Sequence, residues 1–346
     1  MKLSIQLVTW NGAKYMPFLF ESLKSQTFKD WDFFILDNAS QDNTAEIIKK
    51  ELSNFGVQSE LIENKENLGF AGGHNFLFKI INSEYVLFLN QDMYLMPDCL
   101  EKMVNFMDSH SDAGALSPRL MKWNFVDLEN YSLPRTFSNQ VDSLGLKVFW
   151  NRRVVEQFAQ EDWDNIRNKF GNSIQVFGVS GGLPMYRKTA VSEIVYPDGG
   201  VLDEDYHSYK EDVDIAYRLA ARGYKSYVII DAVAYHDRSA AGPKNLNDRS
   251  AAGNKKNQSE WVKYHSYKNH IMTLYKNEYW QNFIIDFFSI IWYELRKFVY
   301  FLLFDRRVLS GLKDVWKNRG NLAVKRRFVK GLRKIGWKEM RKNWSL

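Results

Sequence analysis

A chain of 346 residues with 45% hydrophobic and 25% charged side chains is an ordinary globular composition, which excludes wholesale disorder and leaves room for two modest domains, or for one large domain with an appendage. The single cysteine, Cys99, excludes an intramolecular disulfide framework and a cysteine-built zinc site. The net charge of +6 is unevenly spread: residues 296–346 hold sixteen Lys/Arg against three acids, and the rest of the chain is mildly acidic.

Residues 3–8 alternate with period two and predict a strand, broken at Thr9-Trp10-Asn11-Gly12. Residues 15–25 predict a helix that tolerates Pro17 in its first turn. Phe33-Phe34-Ile35-Leu36 reads as a short buried strand ending in Asp37-Asn38-Ala39-Ser40, and a helix from Asn43 to about Leu52 follows. Residues 57–63 read as a strand, 67–73 as a glycine-rich loop and 74–81 as a helix. Tyr85-Val86-Leu87-Phe88-Leu89 is an uninterrupted apolar run, as a central parallel strand requires. This alternation predicts a doubly wound, mostly parallel α/β sheet, whose ligands bind beyond the carboxyl ends of the strands. The loops that begin at Thr9, Asp37, Asn64 and Asn90 are therefore where chemistry is expected.

Residues 120–175 are irregular and carry no motif. Strands are expected at 175–179 and 183–186, on either side of Ser180-Gly181-Gly182. A helix from Glu211 to Arg222 ends at Gly223, a good C-terminal cap. Strands at 226–230 and 233–236 follow. Asp-Arg-Ser-Ala-Ala-Gly then occurs twice, at 237–242 and 248–253, in a small, polar stretch that reads as a flexible loop or as a lid.

Three groups of residues could carry chemistry. Asn90-Gln91-Asp92 follows the buried strand: Asp92 could hold a hard divalent cation, or the trio could simply terminate the strand through local hydrogen bonds. Glu211 and Asp212 open a helix, where carboxylates either cap the N-terminus or work on a substrate. Six acids (Asp203, Glu204, Asp205, Glu211, Asp212 and Asp214) crowd into twelve residues and repel one another, which favours a nearby cation or substrate proton. His236 could complete a cation site with Asp92 or serve as a structural histidine. The Gly69–Gly73 run lacks the Lys-Ser/Thr of a phosphate-binding loop and the dinucleotide spacing, which argues against a kinase or dehydrogenase.

In order and spacing, Val8-Thr9-Trp10-Asn11-Gly12, Asp37-Asn38-Ala39-Ser40, Asn67-Leu68-Gly69-Phe70-Ala71-Gly72-Gly73-His74-Asn75, Leu89-Asn90-Gln91-Asp92, Ser180-Gly181-Gly182, Glu211-Asp212-Val213-Asp214 and Tyr235-His236 together resemble glycosyltransferase family 2. The resemblance covers about residues 1–240 and is strongest to the rhamnosyltransferase-like branch. It implies the Rossmann-like GT-A fold, with a nucleotide-binding half at about 1–115 and an acceptor half at about 116–240. A flexible loop at 241–258 and an amphipathic, basic, aromatic helical extension at 259–346 would follow. It implies that Asp37 accepts the N3–H of uracil or thymine, and that Thr9, Asn11, Asn67, Asn90 and Gln91 line the donor pocket. Gly72, Gly73 and Asn75 would border the donor near its ribose and phosphates. Asp92 and His236 would ligate Mg²⁺ or Mn²⁺, although Asn90 replaces one acid of the family's Asp-x-Asp motif. Asp212 would be the general base of an inverting displacement, with Glu211 in support. The donor expected is a dTDP- or UDP-linked sugar, dTDP-rhamnose first, and the acceptor a lipid-linked molecule or glycan of the cell surface. A non-catalytic glycan- or nucleotide-binding module is the alternative.

The apolar stretch 283–304 is interrupted by Asp286, Glu294, Arg296 and Lys297, which disfavours a bilayer crossing. Two readings stay open: helices lying on an anionic membrane, or an amphipathic pair packed on the catalytic domain or on a second copy of the chain. No nucleic-acid role is expected of the basic tail. With no export signal at the start of the sequence, the expected location is cytoplasmic, peripheral at the inner face of the membrane.

Overall fold

The computed structural model describes residues 1–238 and 258–345. Four strands, β1 (Leu3–Thr9), β2 (Trp31–Asp37), β3 (Ser59–Glu63) and β4 (Tyr85–Leu89), lie parallel in the order β3-β2-β1-β4. Helices α1 (Met16–Lys24), α2 (Thr44–Leu52) and α3 (Gly69–Phe78) connect them. Along β4, Leu87 and Leu89 join the core on one face of the sheet, while Val86 and Phe88 join the core on the other. A strand covered on both faces needs no polar alternation, which is why its sequence is continuously apolar.

The sheet continues with mixed direction. After β5 (Met93–Leu95) and α4 (Cys99–Ser109) come β6 (Ala113–Trp123), α5 (Leu133–Thr136), β7 (Phe137–Ser143), β8 (Leu146–Phe149), β9 (Val154–Glu156), α6 (Trp163–Ile166), β10 (Ser173–Val176), β11 (Met185–Arg187), α7 (Lys188–Ser192), α8 (Glu211–Arg222) and β12 (Lys225–His236). The full order is β10-β12-β6-β11-β4-β1-β2-β3, with β5 added to β12 and β7 to β6. Strand β11 runs antiparallel to both β4 and β6, so it joins the two halves.

Four local expectations are corrected. The glycine-rich run is helical, since α3 begins at Gly69. Gly69 has φ +72°, and a Cβ there would lie 2.5 Å from His207 Nδ1. A Cβ at Gly73 would lie 2.7 Å from Val8 Cγ1, so the weak helix formers are tolerated because α3 packs tightly onto β1. The irregular middle contains β6 to β10, whose short partners and bulges hide the period-two pattern. The two strands expected after Gly223 are one strand, β12, whose pairing to β6 shifts between Ile229 and Val233. The strand expected at 175–179 ends at Val176.

The helical region comprises α9 (Glu260–Asn277), α10 (Trp280–Ile285), α11 (Phe287–Phe304), α12 (Ser310–Lys317), α13 (Arg319–Leu332) and α14 (Trp337–Arg341). Its cations are spent partly inside the molecule. Lys276 reaches Asp203 and, at 2.9 Å, Asp214; Lys325 reaches Asp203 at 2.5 Å and Asp205 at 2.9 Å. Three of the six crowded acids are thus neutralised by helices that follow them in the chain. Arg152, fully buried, holds Glu278 at 2.7 Å and Asp286 at 3.0 Å. Strand β13 (Trp344–Ser345) pairs in parallel with β8, completing a small sheet with β9.

Candidate active site

The carboxyl ends of β1 and β2 and the loop after β4 are tied into one rim. Thr9 Oγ1 and the Trp10 amide donate to Gln91 Oε1 at 2.7 and 2.9 Å. Asn11 sits at φ 50°, a conformation asparagine tolerates, with its amide on Ser40 Oγ at 2.9 Å and its side chain accepting from the Gln41 amide at 2.8 Å. Asp37, almost wholly buried, accepts from the amide and hydroxyl of Ser40. Asn67 Oδ1 accepts from Asn38 Nδ2 at 2.9 Å and from the Gly69 amide at 2.8 Å. Gly72, Gly73 and Asn75 lie within the packing of α3. All three are buried: Gly72 approaches Leu68, Gly73 approaches Val8, and the Asn75 amide is spent on both backbone groups of Leu202 and on Glu204. They hold α3 against β1 and the 202–204 turn.

The second part of the site is built by register. Strand β5 pairs with β12 so that Met93 faces His236, and the Asp237 amide donates to the Asp92 carbonyl at 3.0 Å. Asp92 Oδ1 therefore lies 3.4 Å from His236 Nε2. The other ring nitrogen, Nδ1, is held by Asp142 at 2.9 Å, which fixes the ring. Burial pulls the His236 pKa down, but the charges of Asp92 and Asp142 outweigh it and hold it up at about 9. Gly182 is needed here because a Cβ would come within 2.7 Å of Met93 Cε and 3.2 Å of His236 Cε1. One carboxylate and one oriented imidazole fit a divalent cation that displaces the Nε2 proton and takes its remaining ligands from a substrate. Among the described residues no cluster of three or more His, Cys, Asp or Glu forms a complete protein cage.

The third part lies at the start of α8. Asp212 accepts from the Gly181 amide at 3.3 Å and from the Val213 amide at 2.7 Å. Glu211 is buried, and its Oε2 has no hydrogen-bond partner among the described residues. Burial, helped by the neighbouring Asp212 charge, pushes its pKa up to about 8, so the carboxyl is mostly protonated at neutral pH. Asp214 points elsewhere: it is wholly buried on Arg218, Lys276, Asn277 and Tyr196, and anchors the helix.

Asn90, Asp92, Gly181, Gly182, Glu211, Asp212 and His236 share the wall of one cavity of about 650 Å³, whose other wall is formed by α9 and α11. Sequence reasoning missed Asp142, Glu156 and Arg238. Arg238 reaches Asp142 at 2.9 Å, Glu156 at 3.1 Å and Ser180 Oγ at 2.8 Å, tying β7, β9 and the Ser180 loop behind the Asp92–His236 pair. Two of the three are isolated acids on short edge strands, and no sequence pattern marks them. All but the first two residues of the duplicated Asp-Arg-Ser-Ala-Ala-Gly segment lie outside the described residues.

The family model for "Glycosyl transferase family 2" matches residues 4–195. The chain is 29% identical over 109 residues to the putative glycosyltransferase EpsE of Bacillus subtilis (strain 168), covering 32% of this chain and 39% of that protein. It is 28% identical over 131 residues to the UDP-Glc:alpha-D-GlcNAc-diphosphoundecaprenol beta-1,3-glucosyltransferase WfaP of Escherichia coli, covering 38% and 51%. The chain thus spans about half or less of these relatives. In fold it is similar to residues 1–349 of Staphylococcus aureus TarS, solved in complex with UDP-GlcNAc, with TM-score 0.53, 17% identity, and coverage of 99% of this chain and 93% of that one.

Proposed function

This chain belongs to glycosyl transferase family 2, and from that premise we propose that it transfers a sugar from a nucleotide-diphosphate donor to an acceptor hydroxyl in the assembly of a cell-surface polymer. The observation that carries the reading is the meeting of Asp92, His236 and Asp212 on one cavity wall, beyond the strand ends. In this reading Asp37 accepts the N3–H of the base, and Thr9, Asn11, Asn67 and Gln91 line the nucleotide rim beside it. Asp92 and His236, with Asn90 beside them, would hold Mg²⁺ or Mn²⁺, and such a cation would supply positive charge against the departing diphosphate. Asp212 takes the acceptor's proton as its oxygen attacks the anomeric carbon. The bond to the diphosphate breaks on the opposite face, with inversion. Glu211, protonated, adds no second negative charge beside Asp212.

The donor we favour is a UDP-sugar rather than dTDP-rhamnose, because the WfaP name specifies UDP-glucose and the TarS complex holds UDP-GlcNAc. Thermal unfolding of the whole chain with UDP-, dTDP- and GDP-sugars, with and without Mn²⁺, tests this. A UDP-sugar with Mn²⁺ is expected to stabilise most, by about 2.7 kcal/mol at a hundredfold excess over Kd. Equal effects from all three nucleotides would contradict it.

We further propose that α11 rests on an anionic membrane surface. The helix is turned inside out: Ile290, Lys297 and Phe301 face the protein, while Phe288 is 87% exposed, Trp292 60% and Phe304 69%. Arg306 and Arg307 are exposed just beyond the same helix, giving the apolar face a basic margin. Among the described residues no helix is long and apolar enough to cross a bilayer. Wild-type protein should co-sediment with phosphatidylglycerol vesicles, and the Phe288→Glu, Trp292→Glu double variant should stay in the supernatant. A wild type indifferent to vesicles removes the proposal.

A further inference from the structure

The cavity beside Asp212 is lined by groups of both signs. Asp92, Glu156 and Asp212 line it together with the largely protonated Glu211. Lys210 before α8, Lys263 on α9, and Arg296 and Lys297 on α11 line it as well, besides Arg153 and Arg238. Two of these lysines have a carboxylate of their own: Lys263 holds Asp305 at 3.0 Å and Lys297 holds Glu294 at 3.2 Å. Lys210 has no carboxylate within ion-pair distance among the described residues, and Glu211, next in the chain, is held largely protonated. Its charge is felt by two neighbours. The Lys297 ammonium is lowered first by burial, against the pull of Glu294, and Lys210 lowers it further. His270 is held down at about 4 by burial and by Lys297, with Lys210 adding to both. Cations that repel one another around a space large enough for a sugar are arranged for an anion that arrives with the substrate.

We propose, on the basis of the transferase reading, that Lys210, Lys263, Arg296 and Lys297 form a phosphate subsite for the acceptor, and that the acceptor is a sugar linked through a diphosphate to a lipid. Two features select that class. Lys210 and Asp212 are two residues apart, at most about 7 Å between Cα atoms, so one sugar can place its phosphate on the first and a hydroxyl on the second. The helix that supplies Arg296 and Lys297 is the one whose outer face is exposed and apolar, so a lipid tail leaving the subsite meets α11. Lysine suits the role as a compact charge that needs no fixed ligand geometry.

The test uses the full chain with the donor rim saturated by UDP, titrated calorimetrically with farnesyl diphosphate, inorganic pyrophosphate and farnesol. Farnesyl diphosphate should bind at least tenfold more tightly than either of the others, and Lys210→Gln should weaken it tenfold or more. Lys210 forms no ion pair among the described residues, so its replacement takes no ion-pair partner from a described carboxylate. If that variant nevertheless fails to fold, Arg296→Gln, at an exposed position, carries the same expectation. Farnesol binding as tightly as the diphosphate, or an affinity unmoved by the substitution, overturns the subsite. Pyrophosphate binding as tightly as farnesyl diphosphate supports a phosphate subsite and overturns the lipid-linked class. The transferase reading fails separately, if UDP-sugars neither stabilise the protein nor are turned over; the acceptor titration is informative even then.

Discussion

Asp212→Asn is expected to lower sugar transfer by about 10²–10⁴-fold while leaving UDP-sugar binding within about twofold of wild type. The asymmetry follows from where Asp212 sits. Its carboxylate is oriented by the Gly181 and Val213 amides on the wall that faces α9 and α11, away from the Thr9–Asp37–Gln91 rim assigned to the nucleotide. Asparagine is nearly isosteric and keeps one of the two amide bonds, since Val213 donates to Oδ1 and Gly181 to Oδ2. It cannot take the proton that an attacking hydroxyl must lose. Single-turnover transfer and donor titration on the same preparation separate the two effects. A variant that transfers at the wild-type rate would leave Asp212 with no more than a capping role on α8, and a variant that loses donor binding would show that it holds substrate rather than a proton.

The largest effect on stability is expected at Lys276. Its side chain is wholly buried and shared by Asp203 and Asp214, both also wholly buried. Burial works against the Asp214 carboxylate, yet Lys276 and Arg218 together hold its pKa well below the usual range. Burial likewise opposes the Lys276 charge, and the two aspartates overcome it. Lys276→Met keeps the volume and removes one of the two cations that compensate each buried anion, Lys325 remaining on Asp203 and Arg218 on Asp214, a change that costs about 3–5 kcal/mol. Urea unfolding should show the midpoint fall with little change in slope. Lys49→Met, which removes a pair with Glu63 that is about half exposed on both sides, is the control and should cost at most about 1 kcal/mol. Equal costs for the two substitutions would mean that the helical region is not locked to the catalytic half through this cluster.

What could be read in advance divides along physical lines. Strands β1, β2 and β4 were legible because buried parallel strands leave unbroken apolar runs, and helix α8 because Gly223 at φ +93° closes it. Asn90, Asp92, Asp212 and His236 were legible as a group because each follows or opens an element with a clear pattern, and the structure brings them to one wall. The glycines of α3 were misread as a loop. Local propensity favours that reading, and only the close approach to Val8 and His207, which comes from tertiary packing, makes glycine the residue that fits a helix there. The crowded acids suggested a nearby cation or substrate proton, but Lys276 and Lys325, roughly seventy and a hundred and twenty positions later, neutralise three of the six. Nothing local to residues 203–214 announces partners at that distance. Asp142 and Glu156 were invisible for a related reason: each becomes informative only when folding sets it beside Arg238.

The parallel pairing of Trp344 with Val148 joins segments about two hundred residues apart, and Trp344 also stacks over the guanidinium of Arg152. Closing so long a span costs entropy before any contact repays it, so this edge belongs among the last parts of the molecule to form. Strand β9, which carries Glu156, hangs from that edge through β8. The scaffold behind Arg238 is therefore expected to become ordered after the β1–β4 sheet, whose paired strands are close in sequence.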